Sequence, residues 1–523
     1  MTTVGMRLVE GLAARGVEVV FGIPGVHTVE LYRGLAGSSL RHVTARHEQG
    51  AAFMADGYAR VTGKPGVAFV ITGPGLTNAL TAMAQARADS VPMLVVSGVN
   101  RRDSLGQGFG LLHELPDQAG MVRALCPTLR VSAPEMLGPV LDRAFALMLG
   151  ARPSPVHIEV PTDVMALEAG ALPPALPLAR RAPEAAALAG ATQQLNAARR
   201  VVILAGGGTK AAAGPLCALA EALDAPVVQT VNARGVMFGH ALGVPASPSL
   251  DAVRALIAGA DLVLAVGTEL APTDYDMYVR GGFPDLSGMI RIDACAEQLA
   301  RHPAALRIQA DAGLALAALA QAVAARQADG PARAEATRRA AWAELAGLHP
   351  AMQAQQKIVE AMRDALPGAI LLGDSTQPVY AANLYYDHDR AGGWFNAATG
   401  YGALGFGPGA AIGAALAAPG VPVVCLIGDG GLQFSAAELR TARDEGLPIS
   451  FVVWNNAGYR EIAEAMAGAG AQVIGCDPSP LSLGPFAEAC GLPFASLAPD
   501  PDALRAALQQ AQNGPRLIEL RAP

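Results

Sequence analysis

Residues 421–456 read VPVVCLIGDGGLQFSAAELRTARDEGLPISFVVWNN. Two apolar runs, VVCLIG and ISFVVW, each end at a polar segment and enclose a stretch with helical spacing. This pattern is typical of two strands that are buried in a parallel sheet and joined by a helix. Because parallel strands end at the same edge of a sheet, Asp429 and Asn456 are expected to lie side by side there.

The first block of the chain shares this layout, and similar apolar runs mark a middle block. GVAFVITGPG (66–75) leads through a helical stretch to MLVVS (93–97), and VVILAGGG (201–208) and LVLAVG (262–267) mark a middle block. We therefore predict an α/β protein with three Rossmann-like or flavodoxin-like parallel-sheet domains. The predicted domain limits are 1–168, 185–325 and 350–523, with linkers around LPPALPLARRAP (172–183) and around residues 324–340.

Composition narrows the class of function. The 523 residues are 52% hydrophobic and 16% charged, so the chain can bury large cores. The net charge of −7 is spread without long like-charge blocks, which argues against nucleic-acid or membrane partners. No apolar run approaches the roughly 18 to 20 residues of a membrane span, and the six cysteines are widely spaced. We predict a cytoplasmic enzyme whose partners are small molecules and copies of itself.

The GDGG segment carries the clearest chemistry. A carboxylate at Asp429 and an amide at Asn456 would supply hard oxygen ligands, as Mg²⁺ prefers when it holds a diphosphate. Gly430 and Gly431 would let the backbone come close to an anion. Taken singly, GDGG also fits an ordinary tight turn and the pair of asparagines a helix entry.

With Asp429 and Asn456 twenty-seven positions apart, GDG followed by NN resembles the thiamine diphosphate (ThDP) signature of the superfamily of acetolactate synthase, benzoylformate decarboxylase and pyruvate decarboxylase. The resemblance implies that Asp429, Asn456 and the carbonyl of Gly458 hold the metal. It also implies that ThDP contacts Gly428, Gly430, Gly431, Asn456, Gly458 and Tyr459.

A second segment, RHEQGAAFMADGYAR (46–60), is similar to the pyrimidine-binding domain of the same superfamily. There the glutamate that matches Glu48 hydrogen-bonds N1′ of the aminopyrimidine, which makes Glu48 the expected catalytic carboxyl. An isolated glutamate of this kind is otherwise usually a surface helix residue. The other residues of this domain that the resemblance assigns to the cofactor are Pro24, Gly25, Thr72, Gly75 and Asn78.

TGYGALGFGPG (399–409) resembles the family segment in which a bulky apolar side chain wedges between the two cofactor rings. Leu404 aligns with that side chain, and the backbone of Gly402 is expected to face the pyrimidine. GDSTQ (373–377) resembles a loop that touches diphosphate and substrate, so Ser375 and Thr376 are further candidates.

The shared motifs do not choose the reaction. After CO2 is lost from a 2-keto acid, family members either release an aldehyde or join the remaining fragment to a second carbonyl. Acetolactate synthases carry Phe-Gln-Glu where this chain has LHELPDQ (112–118), so His113 and Glu114 stand in place of Phe and Gln. An acid there suits a cationic substrate tail, because carboxylate and guanidinium pair through two hydrogen bonds.

FGIPGVHTVELYRGL (21–35) and LHELPDQ look most like 5-guanidino-2-oxopentanoate (2-ketoarginine) decarboxylases. We therefore expect His113 and Glu114 to act in catalysis, and His27, Glu114 and Asp117 to contact the substrate. The alternatives are a solvated loop in which Asp117 caps a helix, an acetolactate synthase-type carboligase, or another ThDP carbon-carbon lyase.

The expected cofactors are ThDP and Mg²⁺. FAD is not expected, because NARGVMFGH (232–240) lacks much of the flavin-cradling segment of the synthases, and the GGG turn is not a spaced dinucleotide fingerprint. A regulatory relative without activity would be expected to lack Glu48 or Asp429.

Since family members build the site across a subunit boundary, we predict a homodimer or a dimer of dimers.

Overall fold

Three six-stranded sheets organise the chain in a computed structural model that describes residues 1–278, 280–281 and 283–522. The strand pairs of each sheet are parallel, as in the pairing of Gly66 with Met93 and of Val423 with Ile449. Helices separate the strands along the chain. The predicted fold class, three α/β domains with parallel sheets, is confirmed.

The first sheet has the strand order β2-β1-β3-β4-β6-β5. Its strands are β1 (Val19–Gly22), β2 (Arg41–Thr44), β3 (Gly66–Val70), β4 (Met93–Val99), β5 (Thr128–Arg130) and β6 (Pro155–Pro161). Its helices are α1 (Val4–Ala13), α2 (Val29–Leu35), α3 (Glu48–Thr62), α4 (Pro74–Ala88), α5 (Gln118–Arg123), α6 (Leu137–Leu149) and α7 (Thr162–Met165). Strands β3, β4 and β6 are buried along their whole length. The apolar runs of β3 and β4 predict this burial, whereas β6 also buries His157 and Glu159.

The second sheet has the order β12-β11-β10-β7-β8-β9. Its strands are β7 (Val201–Ala205), β8 (Val227–Gln229), β9 (Gly243–Val244), β10 (Leu262–Val266), β11 (Ile290–Asp293) and β12 (Leu306–Gln309). The helices of this part of the chain are α8 (Ala185–Ala197), α9 (Ala213–Leu223), α10 (Asp251–Ala258), α11 (Pro272–Tyr275), α12 (Ala296–Ala300), α13 (Ala312–Ala322), α14 (Gly330–Leu348) and α15 (Met352–Ala365).

The third sheet has the order β14-β13-β15-β16-β18-β17. Its strands are β13 (Ile370–Gly373), β14 (Trp394–Asn396), β15 (Val423–Gly428), β16 (Ile449–Asn455), β17 (Phe494–Leu497) and β18 (Arg516–Arg521). Its helices are α16 (Gln377–Leu384), α17 (Phe406–Ala417), α18 (Asp429–Leu432), α19 (Glu438–Asp444), α20 (Arg460–Gly468), α21 (Leu483–Cys490) and α22 (Pro501–Leu508). Strand for strand, this order repeats that of the first sheet, so the predicted resemblance between the first and third blocks is confirmed.

By main-chain contacts the chain groups into two units. One consists of Met1–Ala179, Gly400–Ser496 and Ala511–Pro523, and the other of Arg180–Thr399 and Leu497–Gln510. Inside the first unit, α3 crosses α17 so closely that a Cβ atom at Gly57 would lie 2.1 Å from the carbonyl oxygen of Ala410. The helix that begins at Glu48 is therefore packed directly against the helix that follows Leu404.

Residues 172–183 contain no helix or strand, as predicted for a linker. The second predicted linker is wrong from residue 330 onward, because α14 occupies Gly330–Leu348 and carries proline in its first turn, where the ring is tolerated. The domain limits 1–168, 185–325 and 350–523 stay a prediction. In the described residues, no helix is long and apolar enough to pass through a bilayer.

Candidate active site

Glu48 is the first residue of α3. His47 caps this helix by accepting a hydrogen bond from the backbone N–H of Gln49 through its Nδ1 atom. The carboxylate of Glu48 accepts a hydrogen bond of 2.9 Å from Nδ2 of Asn78, which lies on α4. A Cβ atom at Gly75 would lie 3.5 Å from Oε1 of Glu48. The structure thus brings three of the predicted residues, Glu48, Gly75 and Asn78, to one place.

Glu438, on α19, holds the turn that precedes Glu48. Its carboxylate accepts hydrogen bonds from the backbone N–H groups of Arg46, at 3.1 Å, and His47, at 3.0 Å. The hydroxyl of Thr441 donates a third bond of 2.7 Å. Glu438 is only 1% exposed, and burial raises the pKa of its carboxyl although these hydrogen bonds lower it in part.

His27 and His113 lie together at the carboxyl edge of the first sheet. Their rings meet edge to face with centroids 5.5 Å apart. His113 adopts a positive φ of 60°, and a Cβ atom at Gly73 would lie 2.6 Å from its carbonyl oxygen. Burial, followed by the neighbouring His113, lowers the pKa of His27. The sequence offers no adjacent pair of histidines, and the fold creates one in space.

The turn at Pro24 and Gly25 borders this histidine pair. Thr28 fixes the turn by accepting a hydrogen bond from the N–H of Gly25 and donating one to its carbonyl oxygen. A Cβ atom at Gly25 would lie 2.5 Å from Cδ1 of Ile71, the residue that precedes Thr72. The Thr72 hydroxyl is fully buried and has no hydrogen-bond partner among the residues that the structure describes. A buried hydroxyl of this kind is suited to receive a ligand.

The two acids predicted to contact a cationic substrate tail have partners in their own loop. Glu114 accepts hydrogen bonds from the backbone N–H groups of Phe109 and Leu111, at 3.2 and 2.9 Å, and such bonds lower the pKa of its carboxyl. Asp117 caps α5 through the N–H of Gly120 and forms an exposed ion pair with Arg123. The alternative interpretation of Asp117 as a helix cap therefore describes its observed contacts.

Asp429 and Asn456 meet at the carboxyl edge of the third sheet, as the parallel pairing of β15 and β16 predicts. The N–H of Asn456 lies 3.4 Å from Oδ1 of Asp429. Asp429 is 5% exposed, and burial raises the pKa of its carboxyl, although the nearby N–H groups lower it in part. These two residues are the clearest pair that the sequence analysis placed together.

Gly458 and Tyr459 continue this edge. Gly458 has a φ of 149°, and a Cβ atom there would lie 2.5 Å from the carbonyl oxygen of Cys476, so no other residue fits without displacement. The ring of Tyr459 lies over Gly430, whose Cβ atom would be 2.6 Å from Cε1 of the tyrosine. Gly430 therefore allows close packing at this edge. The other two glycines of GDGG lie at the end of β15 (Gly428) and in α18 (Gly431).

The remaining candidates lie in two loops. Gly402 is exposed with a φ of 76°, and Leu404 is half-buried just before α17. Ser375 and Thr376 follow β13, where Thr376 is buried and precedes α16. Nothing in the contacts of Ser375 or Thr376 assigns them a ligand.

The sequence analysis did not identify Gln118, a buried residue that supports the carboxyl edge of the first sheet. Gln118 is 3% exposed, and its Oε1 accepts a 3.0 Å hydrogen bond from the N–H of Gly73. Its Nε2 donates to the carbonyl oxygen of Gly98 at 2.9 Å and to Glu159 at 3.3 Å. The only signal in the sequence was its place in LHELPDQ. A glutamine there is ordinarily solvated, and only the fold shows that it joins the ends of two strands.

Three regions of the sequence match family models of thiamine pyrophosphate enzymes. Residues 2–121 match the N-terminal TPP binding domain, residues 188–319 the central domain and residues 374–520 the C-terminal TPP binding domain. The matched regions contain Glu48 and Asn78 at one end of the chain, and Asp429 and Asn456 at the other.

Individual relatives extend the similarity over the whole chain. The sequence is 43% identical to the "Probable 2-ketoarginine decarboxylase AruI" of Pseudomonas aeruginosa, over 99% of this chain and 94% of the relative. It is 30% identical to the "Acetolactate synthase isozyme 1 large subunit" of Escherichia coli, over 98% of this chain and 93% of the relative. It is 28% identical to the "Acetolactate synthase, chloroplastic" of Arabidopsis thaliana, over 99% and 81%.

Proposed function

Because the chain belongs to the family of thiamine pyrophosphate enzymes, we propose that it decarboxylates a 2-keto acid without oxidation, using ThDP and Mg²⁺. The proposed substrate is 5-guanidino-2-oxopentanoate, and the products are 4-guanidinobutanal and CO2. The observation that carries this choice of reaction is the pair of imidazoles, His27 and His113, beside the predicted cofactor residues. The 43% identity to a relative named as a probable 2-ketoarginine decarboxylase supports the choice of substrate.

The carboxyl edge of the third sheet has the types of oxygen ligand that Mg²⁺ prefers. A carboxylate from Asp429, an amide oxygen from Asn456 and a carbonyl oxygen from Gly458 are hard oxygen ligands, and the remaining positions suit phosphate oxygens and water. Within the described residues, no group of three or more His, Cys, Asp and Glu could hold a metal by itself. A cation anchored partly by a diphosphate fits this edge better than a site built only from protein side chains.

The carboxyl edge of the first sheet has a carboxyl group, that of Glu48, suited to the pyrimidine. Asn78 fixes the orientation of the Glu48 carboxylate, and Glu438 fixes the main chain in front of it. In the family the matching glutamate contacts N1′, so we assign that contact to Glu48. When bound there, ThDP would supply the electron sink that stabilises the negative charge remaining when CO2 leaves.

Release of an aldehyde requires a proton at the carbon that has lost CO2. His113 is proposed to supply it, because an imidazole is a general acid-base group and this ring lies beside His27 among the predicted cofactor residues. His27 is proposed to contact the substrate beside it, and the lowered pKa of His27 favours a neutral ring that can accept a hydrogen bond. Phenylalanine and glutamine, as in the synthases, would offer no such proton donor.

The guanidinium group of the substrate needs an anionic partner. Glu114 is partly exposed, and the backbone N–H groups that lower its pKa keep the carboxylate charged. Although the N–H groups of Phe109 and Leu111 occupy part of it, a carboxylate has further lone pairs for a guanidinium. Asp117 remains a weaker candidate because it already caps α5 and pairs with Arg123.

We also propose that two copies of the chain form each active site. Exposed apolar side chains flank both edges: Val26, Phe109 and Leu112 beside the histidines, and Tyr401, Phe434 and Ile462 beside the metal residues. Clusters of exposed apolar side chains mark interaction surfaces. Burying one edge of each chain against the other edge of its partner would bring Glu48 of one copy to the ThDP held by the other.

FAD is not part of the proposal. In an open α/β sheet a nucleotide binds at the switch point, which lies here between β7 and β10. The loops after these strands touch there: the N–H of Gly208 donates a 3.0 Å hydrogen bond to the carbonyl oxygen of Gly267. A Cβ atom at Gly206 would lie 2.2 Å from that same oxygen. This direct packing supports a structural role for the GGG turn.

The second candidate function is an acetolactate synthase-type carboligase. The similarity to the large subunit of the Escherichia coli synthase, over 98% of this chain, favours keeping it. The two functions differ in the fate of the substrate after CO2 is lost, because a ligase excludes the proton donor and admits a second keto acid.

A panel of 2-keto acids tests the proposal. The purified protein is incubated with ThDP, Mg²⁺ and either 5-guanidino-2-oxopentanoate, pyruvate or benzoylformate, and CO2, aldehyde and acyloin are measured separately. We expect CO2 and 4-guanidinobutanal in equal amounts from the guanidino acid, and almost no product from Glu48→Gln or Asp429→Asn. Acetolactate from pyruvate at a higher kcat/KM than CO2 from the guanidino acid would establish the carboligase instead.

The role of His113 has its own variant. His113→Phe restores the residue type of the synthases and removes the proton donor. We expect the yield of aldehyde per CO2 to fall and the yield of acyloin to rise. An unchanged product ratio would remove His113 from the mechanism.

A further inference from the structure

The segment that carries Gly402 and Leu404 has little internal support. Residues 400–405 lie between a short 3-10 helix and α17, and both Gly402 and Gly405 have positive φ angles, of 76° and 80°. A glycine-rich stretch of this kind has many accessible conformations. If Leu404 is to present its side chain at one place, contacts from outside the segment must restrict its main chain.

Gln85 supplies such a contact from α4. Its side chain is completely buried, and its Oε1 accepts a 3.1 Å hydrogen bond from the N–H of Ala403. Its Nε2 donates a 2.6 Å hydrogen bond to Oδ2 of Asp89. Because an ionised carboxylate only accepts hydrogen bonds, the NH2 group of Gln85 must face Asp89, which leaves the oxygen for Ala403.

Arg60 on α3 completes this arrangement. Its guanidinium lies 2.6 Å from Oδ2 of Asp89 and also pairs with Asp56. The side chains of all three are 4% exposed or less. The guanidinium also lies over the ring of Phe406, 5.3 Å from its centroid. Phe406 begins α17, so the two residues that flank Leu404 and Gly405, Ala403 and Phe406, are each held by the N-terminal part of the chain.

We propose that Gln85 is a positioning residue for the cofactor site, which fixes the Leu404 side chain by holding the N–H of Ala403. Asp89 and Arg60 orient the Gln85 amide. The inference rests on the proposed function and on the expectation from the family resemblance that Leu404 separates the two rings of ThDP. It adds that the wedge is held by a side chain of the N-terminal domain of the same chain.

Two substitutions at Gln85 separate positioning from general stability. Gln85→Met keeps the length and burial of the side chain but leaves the N–H of Ala403 without its acceptor. Gln85→Glu keeps an acceptor for the N–H of Ala403 in either protonation state but, when ionised, has no donor for Asp89 and is repelled by it. The matched control is Gln356→Met on α15, which replaces another fully buried glutamine whose amide atoms have no hydrogen-bond partner in the described part of the chain.

The first measurement is amide hydrogen exchange of a peptide spanning residues 399–406, made on the full chain without cofactor. Loss of the hydrogen bond to Ala403 should raise its exchange rate by about tenfold in Gln85→Met, because a buried N–H without its partner is destabilised. We expect no change in Gln356→Met. We expect Gln85→Glu, which keeps the acceptor, to exchange more slowly at residues 399–406 than Gln85→Met at the same pH.

The second measurement is the dissociation constant for ThDP with Mg²⁺, together with turnover at saturating ThDP. Gln85→Met should weaken ThDP binding by about fivefold or more and lower kcat while KM for the keto acid stays within about twofold. In a Leu404→Ala background, Gln85→Met should lower kcat no further.

Wild-type exchange at residues 399–406 in Gln85→Met would overturn the inference, as would equal effects of the two glutamine-to-methionine variants. A further loss of kcat in the Leu404→Ala background would also overturn it, since Gln85 would then not act through the wedge. If the wild-type protein instead binds no ThDP, the proposed function fails, and the exchange experiment still decides whether Gln85 holds the segment.

Discussion

The contact between Glu438 and the turn before Glu48 can be tested by pairing two substitutions. Glu438→Ala removes the acceptor of the N–H groups of Arg46 and His47, at 3.1 and 3.0 Å. A hydrogen bond to a charged group contributes about 1.5 to 3 kcal/mol, so we expect the variant to lose about 3 to 5 kcal/mol of unfolding free energy. Asp444→Asn is the matched control, because its ion pair with Arg46 is exposed and contributes less than about 1 kcal/mol.

Gly50 supplies the second substitution. A Cβ atom there would lie 2.1 Å from Oε1 of Glu438 and 2.6 Å from its Cδ atom. In the wild type, Gly50→Ala should therefore cost about 1 to 3 kcal/mol through overpacking. In Glu438→Ala the clash is gone, and alanine in place of glycine within α3 should stabilise the protein by about 0.5 to 1 kcal/mol.

Urea unfolding of the four proteins, followed by circular dichroism, gives the coupling free energy between the two sites. We expect a coupling of about 1.5 to 4 kcal/mol, in the direction that makes Gly50→Ala less harmful when Glu438 is absent. Equal effects of Gly50→Ala in both backgrounds would refute the contact. Turnover gives an independent check, since loss of this contact should lower kcat even at temperatures where Glu438→Ala is fully folded.

Three further predictions concern stability and the orientation of site residues. Burial, and then the neighbouring Arg130, lowers the pKa of His157 to about 3, so the unfolded chain binds this proton below pH 6.5 while the folded chain does not. Stability should therefore be lost as the pH falls from 6.5 toward 3, by about 2 kcal/mol at pH 5, and His157→Gln should show a correspondingly smaller loss in urea unfolding. Asp117→Ala removes the cap of α5 and should lower the free energy of unfolding by about 1 kcal/mol. KM for the guanidino acid should change less than in Glu114→Ala. A larger change in KM for Asp117→Ala would make Asp117 the guanidinium ligand. Asn78→Ala removes the 2.9 Å hydrogen bond to Glu48 and should lower kcat about tenfold with little change in melting temperature; unchanged kcat would show that Glu48 needs no such support.

Several features of the site could be predicted because they depend on short stretches of chain. Asp429 and Asn456 each follow an apolar run, and any parallel pairing of those runs brings both residues to one edge. The position of Glu48 at the start of α3 likewise follows from the helical spacing after it. Strands β3, β7 and β15 lie where continuous apolar runs predict them.

Other features depend on which distant side chains point at each other. The loop between β4 and α5 brings His113 next to His27. The residue types at these two positions do not predict that contact. Gln85, Gln118 and Glu438 look like ordinary surface residues in the sequence, yet each is buried and accepts hydrogen bonds from main-chain N–H groups elsewhere. Burial of a polar side chain requires hydrogen-bond partners at the buried position, and here those partners are distant in sequence.

The sequence by itself determined the three parallel sheets, the shared layout of the first and third blocks and the ligand types at each sheet edge. These follow from local hydrophobic periodicity and from the rule that parallel strands share an edge. Only the tertiary structure decided that α19 holds the turn before Glu48, that α4 holds the segment with Leu404 and that two histidines meet beside Thr72. The physical reason is that each of these contacts joins groups whose approach is set by the packing of whole helices and strands, and no local stretch of sequence contains that packing.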